Sequence, residues 1–179
     1  VVNFCFSALA FLSADHFPAY YSVRSGTIHQ PEFPTNLIML EYHDVTLRVR
    51  YAETDQMGVV YHSNYLIWFE VGRVELMRSL GFDYKRMEAD DDTYMVVADA
   101  HCRYHSPARY DELLTIRTRL LQAKNRTLQF GYEIFREEDR KLLATGDTTH
   151  VSTSREGRVK HFPEKYKTAF LALANRSTE

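Results

Sequence analysis

A length of 179 residues gives room for one domain with a core of its own and is too short for two elaborate domains. The 22 basic and 24 acidic residues leave a formal net charge of -2 and are spread along the chain, which excludes the electrostatic footprint of a nucleic-acid-binding protein. The two distant cysteines, Cys5 and Cys102, exclude a disulfide framework or a paired-cysteine zinc site and fit a reducing compartment.

Residues 1–40 read as a poorly structured extension. They hold three charges, Asp15, Arg24 and Glu32, together with Pro18, Pro31 and Pro34, and show no sustained helix or strand period. The apolar run from Val1 to Leu12 falls short of the roughly 20 residues needed to span a bilayer. It also lacks the basic leading region of a secretory signal, the first basic residue being Arg24. The expectation is therefore a cytoplasmic protein with no membrane association. Met39 stands where an initiator would suit, so the natural unit is expected to begin there, with residues 41–179 forming the domain and the upstream segment not native to it.

The first strand is predicted over Asp44 to Tyr51, where Val45, Leu47 and Val49 alternate with Thr46, Arg48 and Arg50. After a loop containing Gly58, a helix of about 25 Å is predicted over Asn64 to Leu80, stopped by Gly81. Tyr65, Leu66, Ile67, Trp68, Phe69, Val71, Val74, Leu76, Met77 and Leu80 occupy nearly its whole circumference, so it belongs inside the protein. The acidic stretch Glu88 to Asp92 reads as a solvated turn. Four strands follow at about Tyr94 to Tyr104, Asp111 to Gln122, Thr127 to Glu137 and Lys141 to Ser154, separated by Ser106-Pro107, Lys124-Asn125 and Glu138-Asp139. Their short connections imply antiparallel neighbours. A last helix is predicted from Pro163 to about Ala174. One strand, an apolar helix and four antiparallel strands describe an α+β hotdog fold, a curled sheet of about five strands around a long central helix, with a second subunit covering what the sheet leaves bare.

The richest stretch is Tyr51-Ala52-Glu53-Thr54-Asp55-Gln56-Met57-Gly58-Val59-Val60-Tyr61-His62-Ser63-Asn64-Tyr65, which joins the first strand to the helix. It resembles the 4-hydroxybenzoyl-CoA thioesterase family and its bacterial acyl-CoA thioesterase relatives, in which a strand leads to an aspartate, a nearby glycine, an aromatic or histidine, and Asn-Tyr at the helix start. A looser likeness runs from about Val45 to Tyr166. The resemblance implies hydrolysis of an acyl-CoA or aroyl-CoA thioester to the free acid and coenzyme A. In it Asp55 is the carboxylate that attacks the thioester or activates water, and the backbone N–H at His62 polarises the carbonyl. It further implies a substrate site that includes Gly58, Val60, Tyr61, Asn64 and Tyr65, and a homodimer with sites at its interface, often paired into a homotetramer. No cofactor or metal is expected, coenzyme A entering only as part of the substrate.

Elementary chemistry agrees with that reading. Thioester hydrolysis needs a base or nucleophile and a donor for the developing oxyanion. Asp55 supplies the first, and the unpaired N–H groups at the helix start supply the second. The His62 side chain could hydrogen-bond substrate or shuttle a proton. The plain alternative for Asp55 is a cap or turn residue. Glu70 is its rival, an acid among apolar neighbours in the helix, expected either to do the chemistry or to be a buried or interface partner of an arginine such as Arg73. His101 and His105, roughly 13 Å apart on a strand, are expected to be ordinary strand residues and not metal ligands. Lys124 and Arg126 at a hairpin, and Arg158 and Lys160 before the last helix, are candidates for the phosphates of coenzyme A. Two other classes stay open, a hotdog acyl-CoA hydratase or dehydratase pairing His62 with Glu70, and a noncatalytic acyl-CoA-binding protein.

Overall fold

A computed structural model describes residues 42–174, so the expectations placed on residues 1–40, including a start at Met39, lie outside the described residues. The elements are β1 (His43–Arg48), α1 (Asn64–Ser79), α2 (Tyr84–Asp91), β2 (Tyr94–Tyr104), β3 (Leu113–Ala123), β4 (Thr127–Arg136), β5 (Leu142–Thr153) and α3 (Glu164–Ala174). The five strands form one antiparallel sheet in the order β1-β3-β4-β5-β2. The hairpins β3-β4 and β4-β5 build its centre, whereas β1 and β2 reach its two edges from the far side of α1. That helix touches β1 and β2 as well as β3 and β4. Contact with both edges requires the sheet to curl around it, which is the hotdog arrangement.

The burial pattern shows why the strands face as they do. Leu114, Ile116 and Leu120 of β3, Leu128, Phe130, Tyr132 and Ile134 of β4, and Ala144 of β5 point to α1 with the period of two that a half-buried strand imposes. Onto them α1 lowers Tyr65, Trp68, Phe69, Leu76 and Met77, with Phe69 stacked on Tyr132 at a ring-centroid distance of 4.3 Å. The helix crosses closest at Gly72, where a Cβ would collide with Thr118 Oγ1 and lie 2.9 Å from Ile116 Cγ2. A glycine there sets the height of the helix above the sheet.

The sheet covers one face of the central helix and leaves Leu66, Ile67, Glu70 and Val71 exposed on the other, the part expected to be covered by a second subunit. One expectation needs correction. The acidic stretch Glu88 to Asp92 is not a turn but the second half of α2 and its end. Asp83 caps that helix by accepting from the Lys85 and Arg86 N–H groups, and Asp92 closes it in the left-handed region at φ 48°. The acids there are anchored: Asp91 pairs with Lys165 at 2.7 Å, and Asp92 Oδ1 accepts the Arg155 N–H at 3.0 Å. Beside them α3 lays Tyr166 and Phe170 against Phe82 and Phe162, closing the far end of the core. Among the described residues no helix is long and apolar enough to cross a membrane.

Candidate active site

The first strand ends at Arg48, earlier than its alternation suggests, because the chain turns through a short 3-10 helix at Tyr51–Glu53. From there it forms a tight hairpin in which Thr54 bridges Val60, the Asp55 N–H donates to Val59 O, and the Gly58 N–H donates to Asp55 O. Gly58 closes this turn at φ 71°, a conformation that favours glycine. A Cβ on it would meet no protein atom within 4 Å, so within the chain it is the turn that calls for glycine. Asp55 is half-buried at the hairpin start, and its Oδ1 accepts the Met57 N–H at 2.8 Å.

The other wall comes from the end of β2 and the segment after it. Asp55, Met57, Val59, Val60, His62 and Tyr65 face Tyr104, His105, Ser106 and Pro107 across a cleft of about 360 Å³. Apolar side chains make most of its surface, with one carboxylate and two imidazoles among them. The Tyr104 hydroxyl donates to His62 O at 3.0 Å and ties the two walls together. Burial, with Cys102 alongside, pushes that phenol up to about 12, which keeps it a donor at neutral pH.

Of the substrate-site residues expected from the sequence, Val60 and Tyr65 line the cleft with Asp55 and His62, and Gly58, Tyr61 and Asn64 do not. Tyr65 is buried, and its hydroxyl accepts the Ala108 N–H at 3.0 Å. Asn64 Nδ2 donates to Glu53 O at 2.8 Å and fastens the loop to the helix. The helix start itself is open: Asn64 N–H donates to Tyr61 O and Leu66 N–H to Ser63 O, while no acceptor among the described residues takes the His62 or Ser63 N–H. Such free amides at a helix N-terminus favour negative charge.

Glu70 is exposed on the outer side of α1 and not buried within the chain, and no bond among the described residues joins it to Arg73 or His62. The Arg73 Nε lies buried without a partner among the described residues. His101 pairs with Asp99 at 2.9 Å on β2. His105 falls just past β2, turns its Nε2 to Thr145 Oγ1 at 2.9 Å and lines the cleft, so it is more than an ordinary strand residue. Sequence reasoning missed this because only long-range contacts, the Tyr104 hydroxyl on His62 O and the Val60 N–H on Ala108 O, bring its segment to the cleft that Asp55 lines. Glu53 was likewise missed, although it stands two residues before Asp55 in the same motif.

The basic candidates separate. Lys124 and Arg126 line a groove with Asn125, Thr127 and His161, since the Phe162 N–H donates to Asn125 O and draws the two segments together. Lys160 is engaged elsewhere, its Nζ donating to Asp91 O and Asp92 O at 3.0 Å each. Arg158 is exposed beside Glu156.

The model of the thioesterase-like superfamily matches residues 49–170, which hold strands β2 to β5 of the curled sheet and the Asp55 hairpin on the start of its helix. The chain belongs to this superfamily. Among its relatives, the acyl-CoA thioesterase YbgC of Haemophilus influenzae is 33% identical over 129 residues, which span 71% of this chain and 93% of that protein. The crystal structure of the hypothetical protein TT1821 from Thermus thermophilus superposes with a TM-score of 0.68 at 37% identity, covering 74% of this chain and 97% of that one. The DHNA-CoA thioesterase from Staphylococcus aureus superposes with a TM-score of 0.70 at 30% identity, covering 77% and 95%. The matched span of the superfamily model contains both walls of the cleft and most of the polar network beneath it.

Proposed function

We propose that this protein hydrolyses an acyl-CoA or aroyl-CoA thioester to the free carboxylic acid and coenzyme A, with Asp55 as its catalytic carboxylate. The observation that carries the reading is the meeting, in one cleft, of the half-buried Asp55 carboxylate with a helix start whose His62 N–H has no acceptor among the described residues. The thioester carbonyl oxygen rests on that amide, where charge developing on it meets a preorganised donor. Asp55 takes a proton from water as water adds to the carbonyl carbon, or adds to it directly and is freed by water in a second step. In either route the C–S bond breaks, the electron pair leaves with the thiolate of coenzyme A, and the acid is released. Neither route needs a bound cofactor. The relatives named as acyl-CoA and DHNA-CoA thioesterases support the substrate class.

Lys124 and Arg126 bind phosphates of coenzyme A in the groove they line. The working unit is a homodimer, pairing further into a homotetramer. In support, β2 ends the sheet with Val96 and Val97 exposed, and α1 leaves Ile67 and Val71 bare. An unpaired edge and apolar side chains of that kind invite a second chain. The free Cys102 thiol fits a reducing compartment such as the cytoplasm.

The test is thiol release from a panel of short, medium, long and aromatic acyl-CoAs, with the wild type set against Asp55→Asn at equal folding. The expected loss is at least about 10² in kcat, near 2.7 kcal/mol. Undiminished turnover by Asp55→Asn removes Asp55 from the chemistry, and no release by the wild type from any substrate overturns the hydrolase reading.

A further inference from the structure

Two residues before Asp55, Glu53 is a carboxylate only 5% exposed, and it does not line the cleft. Three donors converge on it. Its Oε2 accepts the Arg50 N–H at 2.7 Å, and its Oε1 accepts Arg50 Nη2 at 2.8 Å and the indole Nε1–H of Trp68 at 3.1 Å. Its backbone carbonyl accepts two more, from the Tyr61 N–H at 2.9 Å and from Asn64 Nδ2 at 2.8 Å. One residue thus joins the end of β1, the returning arm of the hairpin, the first residue of α1 and its second turn. Burial alone would raise the carboxyl, but the Arg50 guanidinium and N–H and the Trp68 indole outweigh it and hold it below its ordinary range.

We infer that Glu53 is the positioning residue of the site: its carboxylate, clamped by Arg50 and Trp68, fixes the Asp55 hairpin against the start of α1 and so sets the distance between base and oxyanion donor. The inference rests on the proposed hydrolase function. An ionised carboxylate suits the place because it only accepts, and all three groups facing it only donate. A glutamine would keep the shape but turn an NH2 toward one of those donors, leaving a buried N–H unpaired. Displacement of the hairpin by about 1 Å is enough to cost on the order of 10²-fold in a reaction that depends on orientation.

The experiment is Glu53→Gln, assayed on an acyl-CoA that the wild type hydrolyses, alone and combined with Asp55→Asn. The expected result is a folded variant whose kcat falls about tenfold or more while KM stays within about twofold, since Glu53 touches no part of the cleft. In the Asp55→Asn background the same change should cost nothing further, because a residue acting through Asp55 loses its effect when Asp55 is gone. Native kcat in Glu53→Gln, or an equal loss in both backgrounds, overturns the inference. Should Glu53→Gln not fold, Arg50→Ala removes one exposed donor only, with about a threefold loss of kcat and the same non-additivity expected; an unaffected Arg50→Ala enzyme then overturns it. Trp68 is the only tryptophan of the chain, so its emission reads the clamp without any turnover. A shift in Glu53→Gln is expected and an unchanged spectrum contradicts the clamp. A wild type that releases no thiol would sink the hydrolase reading while leaving this optical test standing.

Discussion

The two ends of α1 hold polar side chains in opposite states. At its start, Asp55 and His62 stand in an open cleft, and the His62 and Ser63 amides have no acceptor among the described residues. Along its second half, polar groups are sunk between helix and sheet: the Tyr132 hydroxyl lies 2.7 Å from Thr148 Oγ1, which lies 2.9 Å from His150 Nε2. Burial, with Arg73 nearby, pushes His150 down to about 3, and burial pushes Tyr84 up to about 12. Both are therefore neutral at pH 7. The difference teaches that polarity beside the same helix serves recognition where water and ligand can reach it, and packing specificity where the charged form is suppressed.

The comparison depends first on where α1 lies, which makes Gly72 its most sensitive point. Gly72→Val should cost about 3 kcal/mol in urea unfolding, because the helix must lift from Thr118 and Ile116 at both ends at once. A variant within 0.5 kcal/mol of the wild type, to take roughly the scatter of surface substitutions, would mean that the contact is not tight.

The buried end makes a prediction about pH. His150 in the folded chain titrates far below its ordinary value of about 6.5, so between about pH 6.5 and 3 the unfolded state binds more protons and stability falls as the medium is acidified. From pH 6.5 to 5 the expected loss is about 2 kcal/mol. In His150→Gln, with the hydrogen bond to Thr148 kept by the amide, most of that loss should vanish while kcat at pH 7 stays unchanged. Equal acid sensitivity of the two proteins in denaturant titrations would show that His150 is not what suppresses stability there.

The smallest effect is expected at the basic groove of Lys124 and Arg126. Lys124→Ala and Arg126→Ala should each raise KM for an acyl-CoA by about tenfold or less, with kcat retained, and leave the corresponding pantetheine thioester unaffected. Added salt should narrow the difference from the wild type, as screening weakens exposed pairs. Equal effects on both substrates would place the nucleotide elsewhere.

The architecture was legible because it is written in short-range patterns. The all-apolar helix ends at Gly81 as its sequence suggests, and each of the last four strands lies within two residues of its alternating run. α2 escaped notice since only Tyr84 and Met87 give it an apolar side, although Asp83 ahead of it was a readable cap. The motif around Asp55 directed attention to the correct loop, yet not to what surrounds it. His105 reaches the cleft because its segment is tied to residues 60–62 from more than forty positions away, and Glu53 meets Trp68 fifteen positions away; neither approach has a local signature. That Glu70 is not buried within the chain was hidden for a related reason: apolar neighbours all round a helix do not say which face the sheet of the same chain will take.

The bond from Tyr104 to the His62 carbonyl has an electronic side. The oxygen it holds belongs to the same peptide unit as the Ser63 N–H, one of the two amides open at the helix start. Hydrogen bonds in series polarise one another, so a donor drawing density from the oxygen makes the amide hydrogen at the other end of the unit more positive. The last residue of the edge strand, which also lines the cleft, thus acts as an inductive substituent on the helix start, tuning its pull on negative charge from outside the helix.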